Sequence, residues 1–145
     1  MKAPVIGYWV TTALTALLFL YSGMMDVTRA APVVEGLAQL GYPAYLALIL
    51  GAWKLLGVLA VLVPRLPRLK EWAYAGMTFD LSGAAISHAA SGDVAAKVIT
   101  PIVLLGLVAA SWALRPTSRK LASHAPTDTS VSRHEHQRSL ASSRA

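Results

Sequence analysis

The sequence predicts an all-α integral membrane protein, a bundle of four transmembrane helices with a short interfacial helix between the first and the second. Two observations predict this fold. The 145 residues are 55% hydrophobic and 14% charged, whereas soluble domains carry roughly 25% charged residues. Four apolar stretches, each close to the roughly 20 residues that span a bilayer, are separated by short segments rich in charge, proline and glycine.

The distribution of charge and the absence of cysteine exclude several classes of function. The formal charge is +6, but the cations lie beside apolar runs and near the C-terminus, not on a basic face with interleaved aromatic residues. We therefore expect no nucleic-acid partner. Because the chain has no cysteine, it can form no disulfide, Cys-ligated zinc site or thiol relay of its own.

The first predicted span covers residues 4–26. Residues 3–25 carry no charge, and this run is longer than the hydrophobic region of about 7–15 residues found in signal peptides. Cleavage after Thr28-Arg29-Ala30 is the alternative. Helical spacing places one polar stripe on this helix, which we expect to face protein: Tyr8, Thr12, Thr15, Phe19, Ser22 and Asp26.

Three further spans are predicted at 44–63, 70–91 and 94–114. A short interfacial helix precedes them, with Pro32 near its start and Gly41 at the position of a C-cap. Residues 1–115 thus form one transmembrane domain, and 116–145 form a basic cytoplasmic tail that we expect to be disordered because it lacks apolar residues. The third span carries a stripe of small and polar residues that predicts a close helix contact: Ala73, Gly76, Asp80, Gly83, Ala84, Ser87 and Ser91.

The cations predict the orientation. With both termini in the cytoplasm, ten of the thirteen lysines and arginines lie on the inner side and only Arg29 and Lys97 on the outer side. Cytoplasmic loops carry such an excess. We therefore expect a multi-pass protein of a cytoplasmic membrane with both termini inside.

Lys54 and Asp80 are the two charged residues in the middle of predicted spans. A charge at the bilayer centre costs on the order of 3 kcal/mol, so such residues are normally paired or functional. At 1.5 Å per residue the two lie at similar depth if their helices are antiparallel neighbours, and we expect each to be the other's principal partner. In the structural interpretation, the ion pair only fixes the register of the two helices. In the functional interpretation, one of the two residues titrates or contacts a polar headgroup.

A cleft at the outer end is predicted from residues that lie at one level: Asp26, Tyr42, Tyr45, His88 and Asp93. A histidine beside a carboxylate could donate to a quinone carbonyl, whereas a lone membrane histidine is more often a satisfied bundle residue.

The sequence contains no phosphate-binding loop, zinc-protease helix or hydrolase elbow. The histidines at 124, 134 and 136 lack the fixed geometry of a metal site. No metal is predicted and no catalytic residue is assigned.

Several sequence segments resemble the DoxX-like family: Leu40-Gly41-Tyr42-Pro43, Trp53-Lys54-Leu55-Leu56-Gly57, Lys70 to Gly76, and Ser87-His88 with Gly92-Asp93. The resemblance covers about residues 5–115. It implies a four-helix protein of the bacterial inner membrane, and it extends more loosely to the small subunit of thiosulfate:quinone oxidoreductase and to membrane partners in oxidoreductase complexes. The family offers no agreed catalytic residues.

We therefore expect a DoxX-like membrane component of an oxidoreductase or stress-related system that interacts with quinone and has no other cofactor. The alternative is a non-enzymatic membrane scaffold or lipid-binding module. The expected partners are the lipid bilayer and either a membrane oxidoreductase or a second copy of the chain.

Overall fold

The computed structural model describes residues 3–120, and this part of the chain contains α-helices and one 3₁₀ turn but no strand. The helices are α1 (Ala3–Val27), α2 (Ala31–Gln39), α3 (Tyr45–Leu62), α4 (Pro67–Ala90) and α5 (Ala95–Ala113). The 3₁₀ turn, Thr117–Arg119, follows α5. The all-helical fold class predicted from the sequence is confirmed.

The four long helices form a ring in which each packs against two others. Helix α1 packs against α3 and α5, and α4 also packs against α3 and α5, while the short α2 packs loosely against α3. The bundle therefore has two ends, which we name by what they carry. The α2 end bears α2 and the turn between α4 and α5, and the Arg115 end bears the C-terminus of α5.

Three helices of the described part are long and apolar enough to cross a membrane: Val5–Val27, Tyr45–Leu62 and Ala95–Ala113. Helix α4 is long enough, at 24 residues, but its charged and hydroxyl residues make it too polar to qualify on composition. The described part thus supports a membrane protein with three candidate spans, and the fourth span and the interfacial position of α2 stay predictions.

Two glycines shape the turns at the α2 end. Gly41 has φ +81° and Gly92 has φ +68°, which is the left-handed region that glycine adopts without steric cost. After α2, the Tyr42 amide donates to the Leu37 carbonyl; after α4, the Asp93 amide donates to the His88 carbonyl at 3.0 Å. Both helices therefore end in the glycine-capped arrangement common at helix C-termini. This confirms the predicted C-cap at Gly41.

The stripe predicted to face protein on α1 is confirmed. Tyr8, Thr12, Thr15, Phe19 and Asp26 are all buried, and Ser22 is partly buried. The Thr12 hydroxyl joins a buried network in which Ser111 Oγ lies 2.7 Å from Thr12 Oγ1 and 2.8 Å from Tyr74 Oη, whereas Thr15 Oγ1 has no hydrogen-bond partner among the described residues. Because buried hydroxyls are costly without partners, this network links α1, α4 and α5 in one arrangement.

The close helix contact predicted for the small stripe of α4 is wrong. The buried residues of α4 form a neighbouring stripe with bulkier members: Lys70, Ala73, Tyr74, Met77, Leu81 and Ala85. Gly76 and Gly83 are exposed, and a Cβ added at either would meet nothing within 4 Å. The larger side chains bury more apolar surface against α3 and α5, so the small residues instead leave space beside the helix.

The Arg115 end is held by buried cations. Lys70 is almost fully buried and its ammonium donates to the carbonyls of Ala60 and Val61, which are near the C-terminus of α3, where cations are favoured. Arg115 Nη2 lies 2.8 Å from Glu71 Oε1.

The chain also keeps contact with the bundle beyond the predicted domain boundary at residue 115. The Arg119 guanidinium lies 4.8 Å from the centroid of the Trp9 ring, a distance typical of cation–π contact. The rest of the tail predicted to be disordered, residues 121–145, lies outside the described residues, as do the three histidines at 124, 134 and 136.

Candidate functional site

The site begins with a close approach of α1 and α3. Gly51 is buried, and a Cβ at this position would lie 2.8 Å from the Gly23 carbonyl oxygen and 2.7 Å from Val27 Cγ2. No real side chain tolerates such distances, so the two backbones meet because residue 51 has no side chain. The next turn of α3 carries Lys54, which is thereby brought against the last turns of α1.

Lys54 binds two residues of α1. Its Nζ donates to Asp26 Oδ2 at 2.8 Å and to Ser22 Oγ at 3.0 Å. Asp80 Oδ2 of α4 lies 3.7 Å from the same nitrogen, which is beyond hydrogen-bond distance. Asp26 is buried, and Lys54 and Asp80 are partly buried. An ammonium has three N–H groups, so one of them points neither to Asp26 nor to Ser22. We call Asp26, Lys54 and Asp80 the charged triad.

The triad differs from the predicted arrangement in one respect. Asp80 was expected to be the principal partner of Lys54 and Asp26 to belong to the outer rim, but Asp26 is the nearer carboxylate. The reason is the level at which α1 ends. Val27, the last residue of α1, lies beside Gly51. Because Gly51 is six residues after the start of α3, α1 ends about 9 Å below that start. Asp26 is consequently deeper than a rim residue.

An apolar groove of about 460 Å³ runs between α3 and α4. Its walls are aromatic and aliphatic except at one end, where Lys54 and Asp80 line it. Trp53 and Trp72 also line it and are 70% and 78% exposed, so the groove opens to the outside of the bundle. Gly76, a member of the small stripe, forms part of its wall. The groove therefore combines an apolar channel with one charged end, as ligand sites commonly do.

A second cavity of about 880 Å³ lies under α2, and we call it the α2-end cavity. Three predicted cleft residues line it, Asp26, Tyr42 and His88. Tyr45 is not among its lining residues and is 62% exposed, so it stands apart from the cavity. Tyr42 Oη lies 2.8 Å from Ser87 Oγ and thereby connects the loop after α2 to α4.

Asp93 does not line the cavity but holds His88. The Gly92 turn brings Asp93 Oδ2 to 2.8 Å from His88 Nδ1, and Lys97 Nζ donates to Asp93 Oδ1 at 3.0 Å. The hydrogen bond with His88, followed by that from Lys97, lowers the pKa of the Asp93 carboxyl below its ordinary value. Asp93 therefore stays ionised and orients the imidazole at the edge of the α2-end cavity.

Sequence reasoning missed two parts of the site. Ser22 was placed on the buried stripe of α1 but not with Lys54; its spacing of four residues from Asp26 puts both on one helix face and could have identified it. The groove residues Trp53, Trp72 and Gly76 carry no chemical signature and were not predicted to line a ligand site. In the described part of the chain, no group of three or more histidine, aspartate or glutamate side chains is arranged to hold a metal ion.

Long apolar helices around a charged interior define an integral membrane protein. The model of the DoxX-like family matches residues 10–111, which is most of the chain and includes the whole triad. The chain belongs to the DoxX-like family. No curated protein and no solved structure matches it significantly.

Proposed function

We propose that this protein is a four-span component of a bacterial cytoplasmic membrane, with both termini in the cytoplasm, that binds a quinone headgroup in the α3–α4 groove. In this proposal it serves as the membrane component of an oxidoreductase or stress-related system. The observation that carries the proposal is the apolar groove, which opens outward between Trp53 and Trp72 and ends at Lys54 and Asp80.

Three observations support a transmembrane α4. Its 24 residues extend about 36 Å, more than the roughly 30 Å of a hydrocarbon core. Trp72, Phe79 and Ile86 recur every seven residues and are each more than two-thirds exposed, forming an apolar stripe suited to lipid. The polar residues of α4 that reduce its hydropathy, such as Asp80 and Ser87, line the cavities instead.

The charged end of the groove suits a quinone in both redox states. The free N–H of Lys54 would donate to a carbonyl oxygen of the oxidised ring, and the Asp80 carboxylate would accept from a hydroxyl of the reduced ring. The isoprenoid tail would leave past Trp53 and Trp72 into the lipid. The groove volume also falls within the range of ordinary small-molecule sites.

Mass spectrometry of the lipids that co-purify with the protein tests this proposal. Gly76→Leu places a side chain in the groove, and Gly83→Leu, seven residues along α4, places the same side chain in the α2-end cavity. Neither added side chain meets a neighbour at its Cβ, so both variants should fold. We expect quinone with the wild type and with Gly83→Leu, and at least a tenfold lower occupancy with Gly76→Leu.

Decylubiquinone added to quinone-free protein provides the second measurement. It should raise the melting temperature of the wild type and of Gly83→Leu but not that of Gly76→Leu. Equal quinone occupancy in all three proteins would contradict binding in the groove. Phospholipid in the groove with no response to decylubiquinone would favour the alternative, a lipid-binding module.

A further inference from the structure

The two cavities meet at the charged triad. Lys54 and Asp80 line both the apolar groove and the α2-end cavity, and Asp26 lines the latter. The same two side chains can therefore be reached from the lipid-facing side of the bundle and from its α2 end. A site reached both from an apolar groove and from a cavity that Glu35, His88 and Lys97 also line has an arrangement that a register-fixing ion pair does not need.

The triad also carries unequal charge. Two carboxylates face one ammonium, so the fully ionised group has a net charge of −1 within the bundle. An uncompensated charge in this environment is costly, and binding one proton removes it. Asp26 accepts a direct hydrogen bond from Lys54 at 2.8 Å, whereas Asp80 Oδ2 lies 3.7 Å from the same ammonium, beyond hydrogen-bond distance. Asp80 is therefore the carboxylate that gains most from a proton.

We infer that Asp80 is a proton-exchange site that connects the groove with water in the α2-end cavity. In the exchange, a hydronium ion transfers a proton to the Asp80 carboxylate, leaving a carboxylic acid and a water molecule, while Lys54 keeps its charge. The role of this proton for a groove-bound headgroup rests on the proposed function, because a quinone takes up protons when it is reduced and releases them when it is oxidised. The exchange itself requires no quinone.

The charged and titratable groups around Asp80 favour proton entry from the α2-end cavity. Asp26 faces it from α1 and Lys54 from α3, while Glu35 of α2, His88 of α4 and Lys97 of α5 line the cavity beyond it. Toward the Arg115 end, the nearest carboxylate on the same helix is Glu71, nine residues or about 13 Å away. The apolar core fills the bundle in that direction, with Phe19, Val58, Val61, Met77 and Val108 among its members. Protons should therefore reach Asp80 from the α2 end.

Infrared difference spectroscopy of quinone-free protein in sealed liposomes tests the inference. A pH step applied outside the liposomes should change the C=O stretch of a protonated carboxyl before any ionophore is added, in those molecules whose α2 end faces outward. Impermeant maleimide on a Glu35→Cys variant counts these molecules, because Glu35 is exposed on α2 and the chain has no other cysteine. The fraction of molecules whose C=O band responds before the ionophore is added should equal the fraction that the maleimide labels.

Matched variants identify the carboxyl that is protonated and the cavity through which the proton reaches it. Asp80→Asn should abolish the band, and Gly83→Leu should slow its response at least several-fold by filling the α2-end cavity, while Gly76→Leu should leave the response unchanged. Survival of the band in Asp80→Asn would overturn the inference. So would a response to the external pH step from the molecules whose α2 end faces the liposome interior. Quinone binding is measured separately, so a wild-type protein that shows the proton response but binds no quinone would refute only the proposed function.

Discussion

Lys54→Met is expected to lower the free energy of unfolding by up to about 3–5 kcal/mol, the range observed when one member of a buried ion pair is removed. The variant leaves Asp26 and Asp80 in the bundle without their shared ammonium. Proton uptake by either carboxylate would reduce the loss. Equilibrium unfolding in mixed detergent micelles measures it, and Lys97→Met is the control because Lys97 makes an exposed i,i+4 pair, which contributes roughly 0.3–0.5 kcal/mol.

Double-mutant cycles distinguish the two carboxylates. The coupling of Lys54 with Asp26 should exceed its coupling with Asp80, because the distances are 2.8 Å and 3.7 Å and only the shorter one permits a direct hydrogen bond. We expect Asp26→Asn to lose most of its effect when Lys54 is already methionine. If Asp80→Asn shows the stronger coupling, the geometry described for α1 is wrong.

Gly51→Ala is the second change with a large expected effect, a loss of about 1–3 kcal/mol from overpacking. The added methyl carbon would meet the α1 backbone at 2.8 Å, and backbone atoms cannot rotate away as a flexible side chain can. The variant must therefore separate α1 from α3 and move Lys54 away from Asp26. The same unfolding measurement should show this loss.

Gly83→Ala is the matched control for the change at Gly51. Both positions are helical glycines, but a Cβ at Gly83 meets nothing within 4 Å. Alanine favours a helix over glycine by roughly 0.5–1 kcal/mol, so Gly83→Ala should be neutral or slightly stabilising. Equal stability of the two alanine variants would show that the close approach at Gly51 does not hold the bundle together.

Local patterns in the sequence were sufficient to predict the helices and the buried face of α1. Both depend on periodicity within one segment, which is why Tyr8, Thr12 and Thr15 were correctly assigned to the interior. The small stripe of α4 was misassigned because small residues suit a close helix contact and a cavity wall equally. Which of the two forms depends on the size of the neighbouring residues, such as Tyr74 and Met77 on the adjacent stripe.

The triad was only partly predictable for a related reason. Helical rise gives the depth of Lys54 and Asp80, and the structure brings these two residues near each other. Depth does not give the rotation of α3 or the level at which α1 ends. Both are fixed by the contact of Gly51 with Gly23 and Val27, which is made between segments far apart in the sequence. For this reason Asp26 was assigned to the rim.

The membrane topology tests the central claim most directly, because α4 must cross the bilayer for Asp80 to lie within it. Single cysteines at Glu35, Arg68 and Ser91, all exposed positions, can be added to a chain that has no cysteine of its own. Impermeant maleimide applied to intact cells should label the variants at positions 35 and 91 and leave the variant at position 68 unlabelled. Labelling at position 35 without labelling at position 91 would place both ends of α4 on one side of the membrane and contradict the four-span site.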